Sequence, residues 1–388
     1  MIHNNRLFLH LLITCLMVGP AFADSFKPGS LWQDNNGVPI NAHGGGLLRH
    51  EGIYYWYGEH KVGGTAGNKA MVGVHCYSSP DLYHWTDEGI ALPVSGDEHA
   101  DIAKGCVLER PKVIYNVTTG KFVMWFHLEL KGTGYESARS GVAVSNTPTG
   151  PFTYLRSCRP NAGKWPKNAA SEERIIPKPE SLAKVPHGGP NSVSVRSSLL
   201  GRDYEGGQMA RDMTLFVDDD GKAYHVYSSE ENSTTHIALL SDDYLSHSGI
   251  YVRVFPHRWM EAPAICKRNG EYYFLGSGCT GWAPNTARAA VADNILGPWV
   301  EIESPCIGVN PQNGLGPEKT FGGQSTFIQK VDGEKDAYIA MFDIWNPKNA
   351  IDGRYVWLPM SFNRDRYNII WKNEWDLSHF DSTKAQDE

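Results

Sequence analysis

Five times along the chain an apolar strand-like run breaks at a Gly-containing turn and resumes as a run rich in Tyr, Trp and Phe. The turns are Glu51-Gly52, Thr119-Gly120, Asp220-Gly221, Asn269-Gly270 and Asp332-Gly333, within segments 46–57, 112–126, 214–227, 264–274 and 326–340. Such pairs supply the positive φ of a tight hairpin, and the β-branched and aromatic flanks suit a pleated face. Further short apolar runs follow, as in Ser140–Ser145 and Ala289–Ala292, near Gly150-Pro151 and Gly297-Pro298. No sustained 3.6-residue period accompanies them. Four strands per unit and five units predict an all-β, single-domain, five-bladed β-propeller. A β-sandwich also has many hairpins, but five matched units favour the propeller. Residues 157–208, rich in Pro, Ser and Gly, read as a loop insertion rather than a second domain.

The first 23 residues read as an address. Arg6 forms a basic n-region, Leu7–Met17 an apolar run and Ala21-Phe22-Ala23 a cleavage site, which together predict a signal peptide and export to a periplasm or beyond. The run is about half the ~20 residues a membrane span needs, and no later stretch is apolar enough. A propeller is then expected over 24–388. A net charge of −7 argues against a nucleic-acid partner. Six cysteines remain after the leader, none at metal-ligand spacing, and in so large a domain they are expected to be mostly unpaired and buried. No metal or cofactor motif is present. Oligomeric state is not legible.

Polar chemistry clusters just before each unit's first apolar strand: Asn41-Ala42-His43, Glu109-Arg110-Pro111, Arg211-Asp212-Met213, Glu261-Ala262-Pro263 and Gly323-Gln324-Ser325. In a propeller these five starts converge on one mouth. Carboxylates facing one another across a cleft suit glycosidic cleavage, in which an acid protonates the leaving oxygen while an opposing group manages water. Taken singly, a Glu before Pro also reads as a solvated loop carboxylate, and Asp212 as a strand-entry residue bonding local amides. His43-Gly44-Gly45-Gly46 also resembles an esterase oxyanion loop, but the nucleophile elbow that reading needs is missing. Tyr54, Tyr55, Trp125 and Tyr273 alternate as core positions. Tyr135, Trp282 and Trp345 sit beside loop glycines or prolines and could stack on a sugar.

Several strings make the pattern specific: residues 39–46 (PINAHGGG), 54–59 (YYWYGE), 211–221, Glu261-Ala262-Pro263, 277–282 (SGCTGW) and 321–327 (FGGQSTF). They resemble glycoside hydrolase family 43, in particular its exo-β-1,3-galactanase branch, over nearly the whole mature chain. The resemblance implies a five-bladed propeller and an inverting hydrolase with Glu261 as general acid. The family's usual base, an Asp before the first strand of blade one, falls at His43-Gly44, and its pKa-modulating Asp falls at Lys112. Galactanase-like members share these departures and carry Glu109 and Gln324, the glutamine being proposed there to activate water as an imidic acid. Glu59, Tyr135, Asp212, Asn232 and Thr280 match positions that hold the terminal sugar, and His43 is placed with them at the channel floor. The long insertion resembles instead a sister branch that includes furanosidases. The leading expectation is release of galactose from β-1,3-galactan. An arabinofuranosidase, galactofuranosidase or xylosidase, and a non-catalytic carbohydrate-binding propeller, are the alternatives.

Overall fold

The computed structural model describes residues 24–178, 196–333, 336–363 and 366–384. The expected leader, and 179–195 of the insertion, lie outside them. Five sheets, antiparallel apart from one edge pair, are arranged around an axis as a five-bladed propeller. Their innermost strands are His43–His50, Val107–Asn116, Met213–Val217, Met260–Arg268 and Gln324–Lys330. The turns behave as their residues predict: Glu51 and Gly52, and Asn269 and Gly270, all have positive φ, as a two-residue hairpin loop requires.

Four blades have four strands, but the fifth has five. Cys306–Ile307, in the connection leaving blade four, pairs in parallel with the outer strand Arg366–Ile370. Two residues carry too little pattern for this to be read from sequence.

What holds the ring is packing between blades. Each junction has its own apolar cluster, because each sheet buries both faces and blades stack face to face. Between blades one and five, Trp32 and Trp85 each meet both Trp56 and Trp357 edge to face. Full burial of each such side chain contributes on the order of 2–3 kcal/mol. Blade one is tied to blade five by the segments flanking the propeller: Phe26 and Trp375 exchange backbone hydrogen bonds of 2.7 and 3.1 Å.

The insertion is not wholly a loop. It contains a 3-10 turn at Ser171–Glu173 and a helix at Arg196–Arg202, with Leu199 and Leu200 buried. A helix of seven residues is too short to display a period. The six cysteines are unpaired; Cys158 and Cys279 are half-buried and the other four buried. Among the described residues no helix is long and apolar enough to cross a membrane.

Candidate active site

The inner strands do not enter the central pit smoothly. In four of them the ladder slips a register at the entrance, between His43 and Gly46, Glu109 and Lys112, Glu261 and Ala264, and Ser325 and Phe327. Gly44, Arg110 and Ala262 take left-handed φ of 61°, 55° and 54° at three of these slips. A bulge bends the strand and re-aims the side chains beside it. Here it turns Glu109 and Glu261 into a cavity of about 320 Å³, which Glu59, Asp212, Gln324 and Trp345 also line.

Glu261 stands on one wall. Its Oε1 accepts a 2.7 Å hydrogen bond from Asn232 Nδ2. Burial, then the negative charge of Asp212, pushes its carboxyl up to about 8 against the pull of Arg110. The backbone that delivers Asn232 is strained: Glu230, Glu231 and Asn232 have consecutive φ of 52°, 57° and 65°. Each such residue costs on the order of 1–2 kcal/mol. Buried ion pairs hold the loop in place. Glu230 takes Arg253 through both carboxylate oxygens at 2.6 and 2.8 Å, while Glu231 takes Arg202 and Arg211 at 3.0 Å each. Arg202 comes from the insertion, which thereby braces the partner of Glu261.

An acid with this pKa is protonated at neutral pH, the form that donates. Activity is therefore expected to hold through neutrality and kcat/KM to fall about tenfold per pH unit above about 8. A pH–rate profile checks this, and an unchanged rate at pH 10 would exclude Glu261 as the titrating group.

Arg110 ties several lining residues together. Its guanidinium donates to Gln324 Oε1 at 2.6 Å and Ser325 O at 2.9 Å, pairs with Asp212 Oδ2 at 2.9 Å and lies 5.4 Å from the Trp345 ring centroid. Gln324 Oε1 also accepts from Trp345 Nε1 at 2.9 Å, and Gln324 Nε2 donates to Ser277 Oγ at 2.9 Å. Glu109 accepts from Tyr135 OH at 2.8 Å and pairs with His127 Nδ1 at 2.9 Å, while His127 Nε2 pairs with Glu129 at 2.9 Å. Burial opposes these charges, but the mutual hydrogen bonds win, holding Glu109 down at about 2 and His127 up at about 9. Below the floor, Lys112 Nζ donates to Gly44 O at 3.0 Å; burial, then the charge of Arg110, lowers it to about 7.

Ligand atoms of Glu109, His127 and Asp212 lie within 4.8 Å of one another, spacing a metal could use. Both nitrogens of His127 are already engaged by carboxylates, and Arg110 occupies Asp212, so these donors are spent on one another.

Glu261, Gln324, Glu109, Glu59, Tyr135, Asp212, Asn232, Trp282 and Trp345 all line the pit. Two residues expected at the sugar, His43 and Thr280, are not among those lining the pit. His43 is wholly buried behind the lining, its ring stacked on Tyr355 at 5.3 Å and facing Asp343. Thr280 is exposed outside the pit lining, its hydroxyl donating to Ala283 O and accepting from Asn285. Lys61, Asn68 and His127 line the pit without having been singled out, as do Arg110 and Arg211, which the sequence placed at the strand starts without a role. Two had a signal: Lys61 follows Glu59 by two residues, just past the end of the strand Ile53–His60, and His127 faces Glu109 across the hairpin.

A protonated carboxylic acid facing polar groups across a sugar-sized pit, on a five-bladed propeller, is the equipment of a glycoside hydrolase. Residues 197–360 match the family model of Glycosyl hydrolases family 43. The whole propeller is similar to a solved family 43 β-1,3-galactosidase bound to galactodeoxynojirimycin, with 49% identity and a TM-score of 0.84, covering 91% of this chain and 100% of that one. It is also similar to an exo-β-1,3-galactanase from Clostridium thermocellum, at 32% identity and a TM-score of 0.71, covering 90% of this chain and 66% of that one. A β-D-galactofuranosidase from Aspergillus niger is 32% identical over 95 residues, a match spanning 24% of this chain and only 27% of the relative. The chain belongs to glycoside hydrolase family 43.

Proposed function

We propose that this protein is an exported, inverting exo-glycosidase that removes galactose from the end of β-1,3-galactan. The observation that carries the reading is Glu261, its carboxyl pushed up to about 8 by burial and by Asp212, in a pit that Gln324 also lines. A cavity of about 320 Å³ lies at the small end of ligand pockets, which run from about 300 to 1,000 Å³. That size suits one terminal residue with its neighbour at the rim rather than a chain threaded through. Glu261 gives its proton to the glycosidic oxygen, and a water on the opposite face takes the anomeric carbon as the bond breaks. The free N–H of Gln324 can orient that water. Trp282 and Tyr135, both partly exposed at the mouth, offer faces to the next sugar. The β-1,3-galactosidase and exo-β-1,3-galactanase relatives support galactose as the sugar. The leader ending at Ala23 supports export.

The test is product analysis by proton NMR during digestion of β-1,3-galactan. Free galactose appearing first as the α-anomer is expected. Galactofuranose released from a furanoside, with galactan left intact, would favour the reading suggested by the Aspergillus niger relative.

A further inference from the structure

The insertion joins the site through a closed circuit of charges. It runs from the outer strand of blade two, Thr153–Cys158, to the inner strand of blade three, Met213–Val217. Its two ends meet, Gln208 N–H donating to Pro160 O at 2.7 Å. Arg159, at the near end, caps two carbonyls of the loop that carries Tyr135: Nη2 donates to Glu136 O at 2.6 Å and Nε to Ser137 O at 2.9 Å. Its Nη1 reaches Asp203 Oδ1 at 3.4 Å, and Asp203 takes Arg202 through both carboxylate oxygens at 2.9 and 2.8 Å. Arg202 Nη1 goes on to Glu231 at 3.0 Å, and Glu231 takes Arg211 at 3.0 Å. Arg211 returns to the starting loop, donating to Tyr135 O at 2.7 Å.

Three arginines and two carboxylates thus alternate along a path that begins and ends on the successive carbonyls 135–137 and passes beside Asn232. Tyr135 and Asn232 both line the pit and lie in equivalent turns of neighbouring blades. One turn joins Lys121–Glu129 to Arg139–Ser145, the other Ala223–Ser229 to Thr234–Leu240. Asp203 and Glu231 are each 5% exposed, so salt screens their pairs little. Anchoring the insertion does not call for this much charge, since Leu199 and Leu200 are buried and backbone bonds already close its ends. The turn at 230–232 does call for it. Its three left-handed residues persist only if their surroundings hold them, and the middle one, Glu231, is gripped by Arg202 and Arg211.

We infer that the insertion is a built part of the active site and that Arg202 is a positioning residue: through Glu231 it fixes the turn that aims Asn232 at Glu261, and so the direction in which the acid presents its proton. The inference rests on the glycosidase reading above. Arg202 does not itself line the pit, so its effect must pass through Glu231 and Asn232. Asn232 Nδ2 holds Glu261 Oε1 at 2.7 Å, and a shift of the turn carries that bond and the carboxyl with it. Misplacing a catalytic group by about 1 Å can cost on the order of 10²-fold in rate.

Arg202→Met is the informative variant, because cutting the circuit there orphans neither carboxylate: Asp203 keeps Arg159 and Glu231 keeps Arg211. Its kcat on β-1,3-galactobiose is expected to fall about 10- to 100-fold. On 2,4-dinitrophenyl β-galactoside, whose leaving group departs without a proton, the loss should be about threefold or less. The ratio of the two rates does not depend on how much of the protein is folded, so a destabilised variant still decides the matter. Arg202→Lys, which returns a charge but not the planar fork, should recover part of the loss on galactobiose. Equal losses on the two substrates would reduce Arg202 to a tether of the insertion and overturn the inference. So would a kcat on galactobiose within about twofold of the parent. Either result leaves the glycosidase reading intact, whereas a parent enzyme that cleaves neither substrate would overturn that reading as well.

Discussion

Glu261→Gln is expected to lose about 10³-fold in kcat on β-1,3-galactobiose, while 2,4-dinitrophenyl β-galactoside loses tenfold or less. A sugar alkoxide cannot depart without a proton, and the amide has none to give; dinitrophenolate departs unaided. The loss corresponds to about 4 kcal/mol of transition-state stabilisation. Asn232 can still bond the substituted side chain, so the fold should be unaffected. The substitution should also abolish the fall in rate above about pH 8. Steady-state kinetics on the two substrates settles it, and equal losses on both would show that Glu261 acts on something other than the leaving group.

Arg110→Met is expected to cost about 3–5 kcal/mol of folding stability, the usual penalty for removing one partner of a buried ion pair. Asp212 would be left charged and enclosed, and Ser325 O would lose its donor. Activity should fall too, because Gln324 would be free to rotate. Arg110→Lys separates the two effects. It restores a charge near Asp212 but cannot span three acceptors, so stability should partly recover while kcat stays low. Urea unfolding alongside kinetics gives both readings, and a midpoint unchanged in Arg110→Met would contradict the central place given to this guanidinium.

The blades were legible because hairpins are local: turn residue, alternation and aromatic flank all lie within about fifteen residues. The pit was legible only through the repeat, which brings Glu109, Glu261 and Gln324 to one mouth although they are far apart in the chain. Its details depended on bulges. In a regular strand His43 could have faced the cavity, but the left-handed turn at Gly44 leaves its ring against Tyr355. Arg110 was placed at the mouth with Glu109 but given no role, because only the register slip shows that its guanidinium turns inward and is buried. Thr280 was carried over from a matched motif, and its local turn bonds its hydroxyl elsewhere. The parallel strand of blade five and the helix of the insertion were too short to leave a pattern.

The pairing of Phe26 with Trp375 brings the two ends of the described propeller side by side. A short linker could therefore splice them, and new termini could be opened at the hairpin tip Asp219-Asp220, far along its strands from the catalytic mouth. Such a circular permutant would keep all five junctions and add a covalent link to a seam that packing and the Phe26–Trp375 hydrogen bonds already hold. The enzyme would then resist fraying at its former ends, with its chemistry untouched.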